Sequence, residues 1–393
     1  MSQVILKPGR ERSIQWRHPW IFSGAVGRAD SNVSDGDSVS VHRADGQFLA
    51  HGYWCTGGSI AVKLLCFEDR PTDATFWQSA LTRAYSLRAQ LGLAQNSETT
   101  AYRLVNAEGD SLPGLIVDIY NDVAVIQCQT AGMYREREHI VSALRALFGL
   151  RLTAIFDKSA DFQGANEREE ATGLGYLWGQ GGNREIREDS HRFLVDWEQG
   201  QKTGFFLDQR ENRRLIKRYA AGRNVLNAFC YTGGFSVYAL AGSANHVVSV
   251  DSSRSAIQML EENIRLNDGA DRHQAVTADF LRYMQSFPGE FDLIILDPPA
   301  FAKQKSAVKS GLRGYRSINT QALRAIKPGG IVFTFSCSQL VSEADFRTVI
   351  FEAALEAKRS VQVLHQLHQA PCHPVSIFHP EGNYLKGCVL HVD

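Results

Sequence analysis

Phe291-Asp292-Leu293-Ile294-Ile295-Leu296-Asp297-Pro298-Pro299 and Gly330-Ile331-Val332-Phe333-Thr334-Phe335-Ser336-Cys337-Ser338 decide the fold. Each is a short, largely apolar run closed by a polar break, as expected of a strand buried on both faces of a parallel sheet. Pro298 and Pro299 forbid continuation of the first strand, because proline donates no N–H and fixes its own backbone. The two runs therefore deliver a carboxylate, Asp297, and a thiol, Cys337, to one rim of one sheet.

Working outward, strands are expected at 225–229, 247–251, 274–278, 291–297 and 330–336, with helices at 233–241, 253–267, 280–287, 315–326 and 342–357. Strict alternation of strand and helix means a parallel sheet with right-handed crossovers. Ligands of such sheets bind beyond the carboxyl ends of the strands. Two short runs, 375–378 and 387–392, are expected to close the chain as a hairpin. Upstream, the first ~70 residues read as short strands separated by Asp35-Gly36-Asp37, Ala44-Asp45-Gly46 and Thr56-Gly57-Gly58, a small β-barrel-like module. A helix is expected over 73–94, strands over 102–106, 115–120 and 123–127, a helix over 134–148, and a loop over the Gly-rich stretch 173–182. The expected domains are 1–72, 73–190 and 191–393, in an α/β chain.

The chain has 393 residues, is 44% hydrophobic, and carries 42 basic and 42 acidic residues. That composition supports packed cores and argues against disorder. No apolar run is long enough to span a membrane, and no signal-peptide organisation is visible. Seven cysteines without CxxC spacing suit reduced thiols in the cytoplasm better than a disulfide framework or zinc module. Zero net charge argues mildly against nucleic-acid binding, but it hides a local bias. Lys7, Arg10, Arg12, Arg17 and Arg28 face one acid, Glu11, and are interleaved with Trp16, His18, Trp20 and Phe22. Such a stretch can grip phosphates and stack bases; it also suits a small β-domain with a solvated basic face.

The turn 227–236 places Gly233-Gly234 before a helix, where backbone can approach a ligand closely. It lacks GxGxxG, so the dinucleotide fingerprint is absent. Asp251 ends the second strand, where an acid can accept both ribose hydroxyls, and Asp279 follows the third; together they indicate a nucleotide-type cofactor. Phe301 is placed to stack on a base. Lys202 and Arg210 in Lys202-Thr203-Gly204-Phe205-Phe206-Leu207-Asp208-Gln209-Arg210 can pair with a cofactor carboxylate, or mark a polar helix start beside a core Phe pair. His365, His368, Cys372, His373 and His379 match no standard metal spacing, so no metal is expected. Cys337 fits the nucleophile of a reaction at pyrimidine C5. A thiolate added at C6 turns C5 into an enamine carbon able to attack a methyl donor. Its competing reading is a small buried strand-end thiol.

These residues resemble a known family. Lys7-Pro8-Gly9-Arg10-Glu11-Arg12, Arg17-His18-Pro19-Trp20-Ile21-Phe22-Ser23-Gly24-Ala25, Lys202-Thr203-Gly204 through Arg210, and Tyr231-Thr232-Gly233-Gly234-Phe235 are similar to motifs of the ribosomal RNA large subunit methyltransferase I family. So are Asp297-Pro298-Pro299, Arg313-Gly314-Tyr315, Phe335-Ser336-Cys337-Ser338, and Pro380-Glu381-Gly382 with Tyr384-Leu385-Lys386-Gly387. The resemblance covers nearly the whole chain. It implies an N-terminal PUA module, a central α/β domain and a C-terminal Rossmann-like domain. It also implies S-adenosyl-L-methionine as cofactor and 5-methylcytosine formation in 23S ribosomal RNA. By it, Cys337 and Asp297 are catalytic. Lys202, Arg210, Asn227, Tyr231, Thr232, Gly233, Asp251, Ser252, Asp279 and Asp297 hold the cofactor, and Arg10, Arg12, Arg17, His18, Phe301 and Lys303 contact RNA. Two positions depart from it: 160–167 carries acids and a glycine where relatives are often basic, and Ala300 stands where some carry Lys, leaving Lys303 to supply that charge. No base for the C5 proton is identified, and a homodimer is left open. The alternatives are methylation of an exocyclic base nitrogen, which needs no thiol, and a non-catalytic RNA-binding assembly factor.

Overall fold

A computed structural model describes residues 1–159, 174–286 and 291–393. The packing divides it into two compact units, one comprising Met1–Arg187, Val195–Leu207 and Pro371–Gly382, the other Glu188–Leu194, Asp208–Ala370 and Asn383–Asp393. The departure noted at 160–167, Gly173 of the expected loop and residue 287 of an expected helix lie outside the described residues.

The first unit contains two sheets. Its N-terminal sheet has six strands in the order Trp20–Phe22, Ile60–Cys66, Phe48–Trp54, Ser38–His42, Ser2–Leu6 and Val26–Ala29. Alternating apolar residues, among them Val4, Leu6, Val39, Val41, Val62 and Leu64, fill its core. The second sheet has the order Leu174–Gly179, Ala154–Lys158, Val123–Cys128, Leu115–Tyr120 and Ala101–Asn106. The expected loop at 173–182 is thus in part an edge strand, paired antiparallel with Ala154–Lys158. Tyr176 supplies β propensity there and meets Phe156 ring to ring at 5.1 Å, which outweighs the flanking glycines.

The helix Ala74–Gln90 is capped by Asp73, whose carboxylate accepts from the Thr75 and Phe76 N–H groups. It buries Phe76, Trp77, Ala80, Leu81, Ala84 and Arg88. Arg88 is wholly buried, and its guanidinium donates to Asp110 Oδ2 (2.8 Å), to the Arg103 carbonyl (2.8 Å) and to the Cys372 carbonyl (2.7 Å). One side chain thereby ties the helix to its sheet and to the distant segment Pro371–Gly382 within the same unit.

The second unit is a seven-stranded sheet in the order His273–Thr277, His246–Asp251, Asn224–Ala228, Phe291–Leu296, Ile326–Ser336, Lys386–Val392 and Val361–Leu367. The first five are mutually parallel, and Lys386–Val392 runs antiparallel to both its neighbours. Strand order reverses direction at Asn224–Ala228, the switch point beside which such sheets bind ligands. The expected hairpin partner at 375–378 is not a strand; Val361–Leu367 takes that place. Its mixed sequence and exposed side chains hid it, because an edge strand needs little apolar patterning. The helix expected from 315 begins at Val308 and runs to Ala325. Gly311 and Gly314 have low helix propensity, but Phe301 packs on both, and tertiary packing overrides it. Among the described residues no helix is long and apolar enough to cross a membrane.

Replacing Arg88 by Ala strands a buried Asp110 carboxylate, and the loss expected is about 3–5 kcal/mol of stability, read as a lowered urea midpoint. A change below about 1 kcal/mol would remove the structural role given to this pair.

A candidate active site at the strand ends

The strands Phe291–Leu296 and Ile326–Ser336 pair in parallel with Leu296 opposite Thr334. Asp297 and Cys337 therefore emerge at the same rim, as their positions in the sequence require. The two half-buried side chains belong to one cluster, since the Cys337 thiol lies 3.9 Å from the Pro298 carbonyl and donates towards it. Asp297 is itself positioned: Gln209 Nε2 donates to Asp297 Oδ1 at 3.0 Å, and Asn212 Nδ2 fixes Gln209 by donating to its Oε1 at 2.6 Å. Next to Gln209, Asp208 accepts a 2.6 Å hydrogen bond from the Tyr384 hydroxyl.

The Arg313-Gly314-Tyr315 stretch supports the rim from beneath. A Cβ on Gly314 would come within 3.0 Å of the Phe301 ring, so any larger residue would press that ring away from the helix by a few tenths of an ångström. The ring sits 4.7 Å from Tyr315, which gives Phe301 a packing role beside the base-stacking one expected of it. The Tyr315 hydroxyl bridges to Ser338 Oγ (2.8 Å), and Ser338 Oγ accepts from the Ala302 N–H (3.2 Å). Burial pushes the Tyr315 phenol up, so it remains a neutral donor.

At the switch point the chain turns sharply after Ala228. Phe229, Tyr231 and Gly233 all have positive φ, 58°, 47° and 84°. Two non-glycine residues in that region within one turn mark stored strain of the kind found at ligand sites. A Cβ at Gly233 would also lie 2.8 Å from Leu260. The Asp251 carboxylate accepts from the Tyr231 N–H (2.9 Å) and the Ser253 N–H (2.8 Å), which orients it over the turn. Asp279 is exposed and accepts from the Arg282 N–H at the start of Phe280–Ser286. Ser252 is exposed. Asn227 is wholly buried and begins a polar relay through Ser236 (2.8 Å) and Ser249 (2.6 Å) to His273 (2.8 Å). Arg210 is also buried, with Nε 3.4 Å from Glu211. Lys202 belongs to the first unit, where it is exposed with its ammonium 4.5 Å from the Phe206 ring centre. Its neighbour Thr203 is an internal staple of that unit, donating to Asp118 at 2.6 Å.

Of the residues expected to meet RNA, Arg10, Arg12, Arg17 and His18 lie in the first unit and Phe301 and Lys303 in the second. The three arginines and Lys303 are exposed, and Arg12 lies over the Trp16 ring at 3.8 Å. His18, His379 and Glu381 bring ligand-type atoms within 4.8 Å of one another. The Trp20 N–H donates to His18 Nδ1 at 3.1 Å, however, which leaves the ring proton on Nε2 facing Glu381 and not a lone pair for an ion.

Residues 173–379 match the S-adenosylmethionine-dependent methyltransferase family and 4–67 a PUA-like domain. The ribosomal RNA large subunit methyltransferase I of Aeromonas hydrophila is 39% identical over 99% of both chains, and that of Shewanella denitrificans is 39% identical with the same coverage. The chain belongs to this family. The solved structure of a protein named as a SAM-dependent methyltransferase from Streptococcus mutans shares the fold, with a TM-score of 0.85 at 23% identity over all of both chains. Another, SMU.776 complexed with SAH, also has a TM-score of 0.85, at 24% identity.

The cofactor of this family member is S-adenosyl-L-methionine, and the residues at the switch point suit it. Asp251 keeps carboxylate lone pairs beyond its two backbone bonds, enough to accept a ribose diol. Thr232 Oγ and Asn227 Oδ1 are buried without a hydrogen-bond partner beside the turn, a polar surplus at a ligand-binding position. Gln209, Asn212, Ser338 and Lys386 were not singled out from sequence. The signal for Gln209 was present in the Asp208-Gln209-Arg210 motif, where the charged neighbours drew the reading.

Gln209→Leu should leave S-adenosyl-L-methionine affinity within about twofold while lowering kcat about ten- to a hundredfold, since it releases Asp297 without touching the turn. Calorimetry and single-turnover methylation separate the two; equal loss in both would refute the positioning role. A second expectation concerns pH. Burial holds the His273 pKa down at about 4, with His246 adding to the effect. The unfolded chain, with a value near ~6.5, takes up the proton first, so this group's contribution to stability falls as pH drops from about 6.5 to about 4. Urea midpoints of His273→Gln should show a shallower decline than the parent over that window.

Proposed function

We propose that this methyltransferase acts on large-subunit ribosomal RNA and methylates cytosine at C5 through a covalent adduct with Cys337. The observation that supports the reading is the contact of the Cys337 thiol with the carbonyl of Pro298, the residue after Asp297, whose carboxylate accepts from Gln209. The names of the 39% identical relatives support the substrate, and the PUA-like domain suits an RNA of that kind.

S-adenosyl-L-methionine, when bound at the turn, supplies an electrophilic methyl group. The protein must make C5 of the base nucleophilic. The Cys337 thiolate adds to C6: the Sγ–C6 bond forms, the C5=C6 pair moves between C5 and C4, and the C4=N3 pair moves onto N3. N3 takes a proton shared with Asp297, whose orientation Gln209 fixes. On methylation the C4–C5 pair forms the new C5–carbon bond, the N3 pair restores C4=N3 and the N3 proton returns to Asp297; the C5 proton then leaves to a base, its pair re-forms C5=C6 and the Sγ–C6 pair returns to sulfur. Asp251 and the Tyr231–Gly233 backbone hold the cofactor, with Asp279 and Ser252 at neighbouring strand ends. Arg10, Arg12, Arg17 and Lys303 contribute phosphate contacts. Such a chain works in the cytoplasm, where ribosomes are assembled.

The test is methylation of unmodified ribosomal RNA with labelled donor, followed by nucleoside mass spectrometry. Label is expected in 5-methylcytosine alone. Cys337→Ala should lose turnover by at least about 10³-fold while still binding the cofactor. Turnover retained in that variant, or label on an exocyclic nitrogen, would overturn the reading.

A further inference from the structure

Lys386 begins the antiparallel strand Lys386–Val392 and lies directly opposite Ser336, the residue before Cys337. It is 4% exposed. Its ammonium donates to the carbonyl of Ser338, the residue after Cys337, at 2.7 Å and to the Val341 carbonyl at 2.6 Å. A buried cation is thus fastened to the backbone on both sides of the thiol, by strand register before it and by a hydrogen bond after it. We propose that Lys386 is a positioning residue that holds Cys337 as the thiolate. The proposal rests on the covalent reading above.

Two neutral carbonyls satisfy hydrogen-bonding capacity but supply no counter-charge, and an ammonium out of water is costly without one. Burial accordingly lowers the Lys386 pKa, and the group opposing that most strongly is Cys337, ahead of Glu343 and Asp345. Arg347, His368 and Cys388 line a pocket together with Lys386 and Glu343, and burial raises the Cys388 thiol. Tyr315 faces Cys337 from the helix Val308–Ala325 and is kept neutral by burial. Glu343 and Asp345 approach from the first turn of Glu343–Ala357, and Asp345 is engaged in the capping box with Ser342. Asp297 precedes the carbonyl that the thiol touches. Thiolate and ammonium stabilise one another, so ionisation of Cys337 is linked to retention of the Lys386 proton. The thiol proton leaves to solvent before attack. Lys386 keeps its own proton throughout and forms no bond to substrate, and the thiolate released at the end of a cycle returns to the same cation.

The direct readout is alkylation of Cys337 by iodoacetamide across pH, followed by peptide mass spectrometry, in protein without RNA. In the parent protein the midpoint should lie clearly below the ~8.5 of an ordinary thiol. Lys386→Met should raise it by at least about one pH unit, slowing alkylation at pH 7 about tenfold, and should move the acidic limb of the kcat/KM profile upward by the same interval. Lys386→Arg should retain most of both. A parent midpoint at or above ~8.5 would overturn the proposal without any variant. So would a folded Lys386→Met protein, judged by unchanged cofactor affinity, whose midpoint matches the parent. Turnover persisting in Cys337→Ala alongside a normal alkylation shift would instead defeat the covalent mechanism and leave the ion pair standing.

Discussion

Two adjacent parallel strands must end together, and the rest of the second unit is arranged around that constraint. With Leu296 opposite Thr334, residues just past each strand share one rim. Hydrogen bonding between neighbours would carry the sheet onward, but Pro298 and Pro299 stop it. The chain is forced aside, and the Pro298 carbonyl comes to face Cys337. On the other flank the incoming strand starts with Lys386 opposite Ser336. The rim is thereby closed from both sides by residues whose positions follow from register, so its geometry is inherited from the sheet rather than from loop conformation.

Support beneath the rim follows the same logic. Phe301 turns inwards after the prolines, and its ring lies close against Gly314, where a Cβ would meet it at 3.0 Å. Tyr315, one residue on, then reaches Ser338 and the backbone at Phe301 with a single hydroxyl. One side chain thus links the segment after Asp297 to the segment after Cys337. Their separation depends on a buried hydrogen-bonded network, which is rigid when every member is satisfied.

How much of this could be read in the sequence depended on whether the cause was local. The five parallel strands declare themselves because burial on both faces requires continuous apolar runs. Asp297 and Cys337 are legible because each closes such a run. The edge strand Val361–Leu367 was not, since its partner lies some twenty residues further along and its side chains face solvent. The early start of the helix at Val308 depends on Phe301 packing, which no local propensity reveals. The return of Pro371–Gly382 to the first unit, where it packs against Arg88, is a long-range fact without a local signature. For the same reason Gln209 and Lys386 went unread: their importance lies in what they touch.

The choice of partners at the rim also separates its chemistry from that of the surrounding scaffold. Three buried acids of the scaffold meet arginine: Asp110 meets Arg88, Asp118 meets Arg103 and Glu188 meets Arg213. A guanidinium in such a place locks the carboxylate in its charged form. At the rim, Asp297 accepts from the amide of Gln209, itself oriented by Asn212. The buried cation of the rim, Lys386, donates to the carbonyl of the residue after Cys337. In the mechanism proposed above, the strand that ends in Asp297 would serve the N3 edge of the base and the strand that ends in Cys337 the C6 edge, so that one rim meets both edges of a ring.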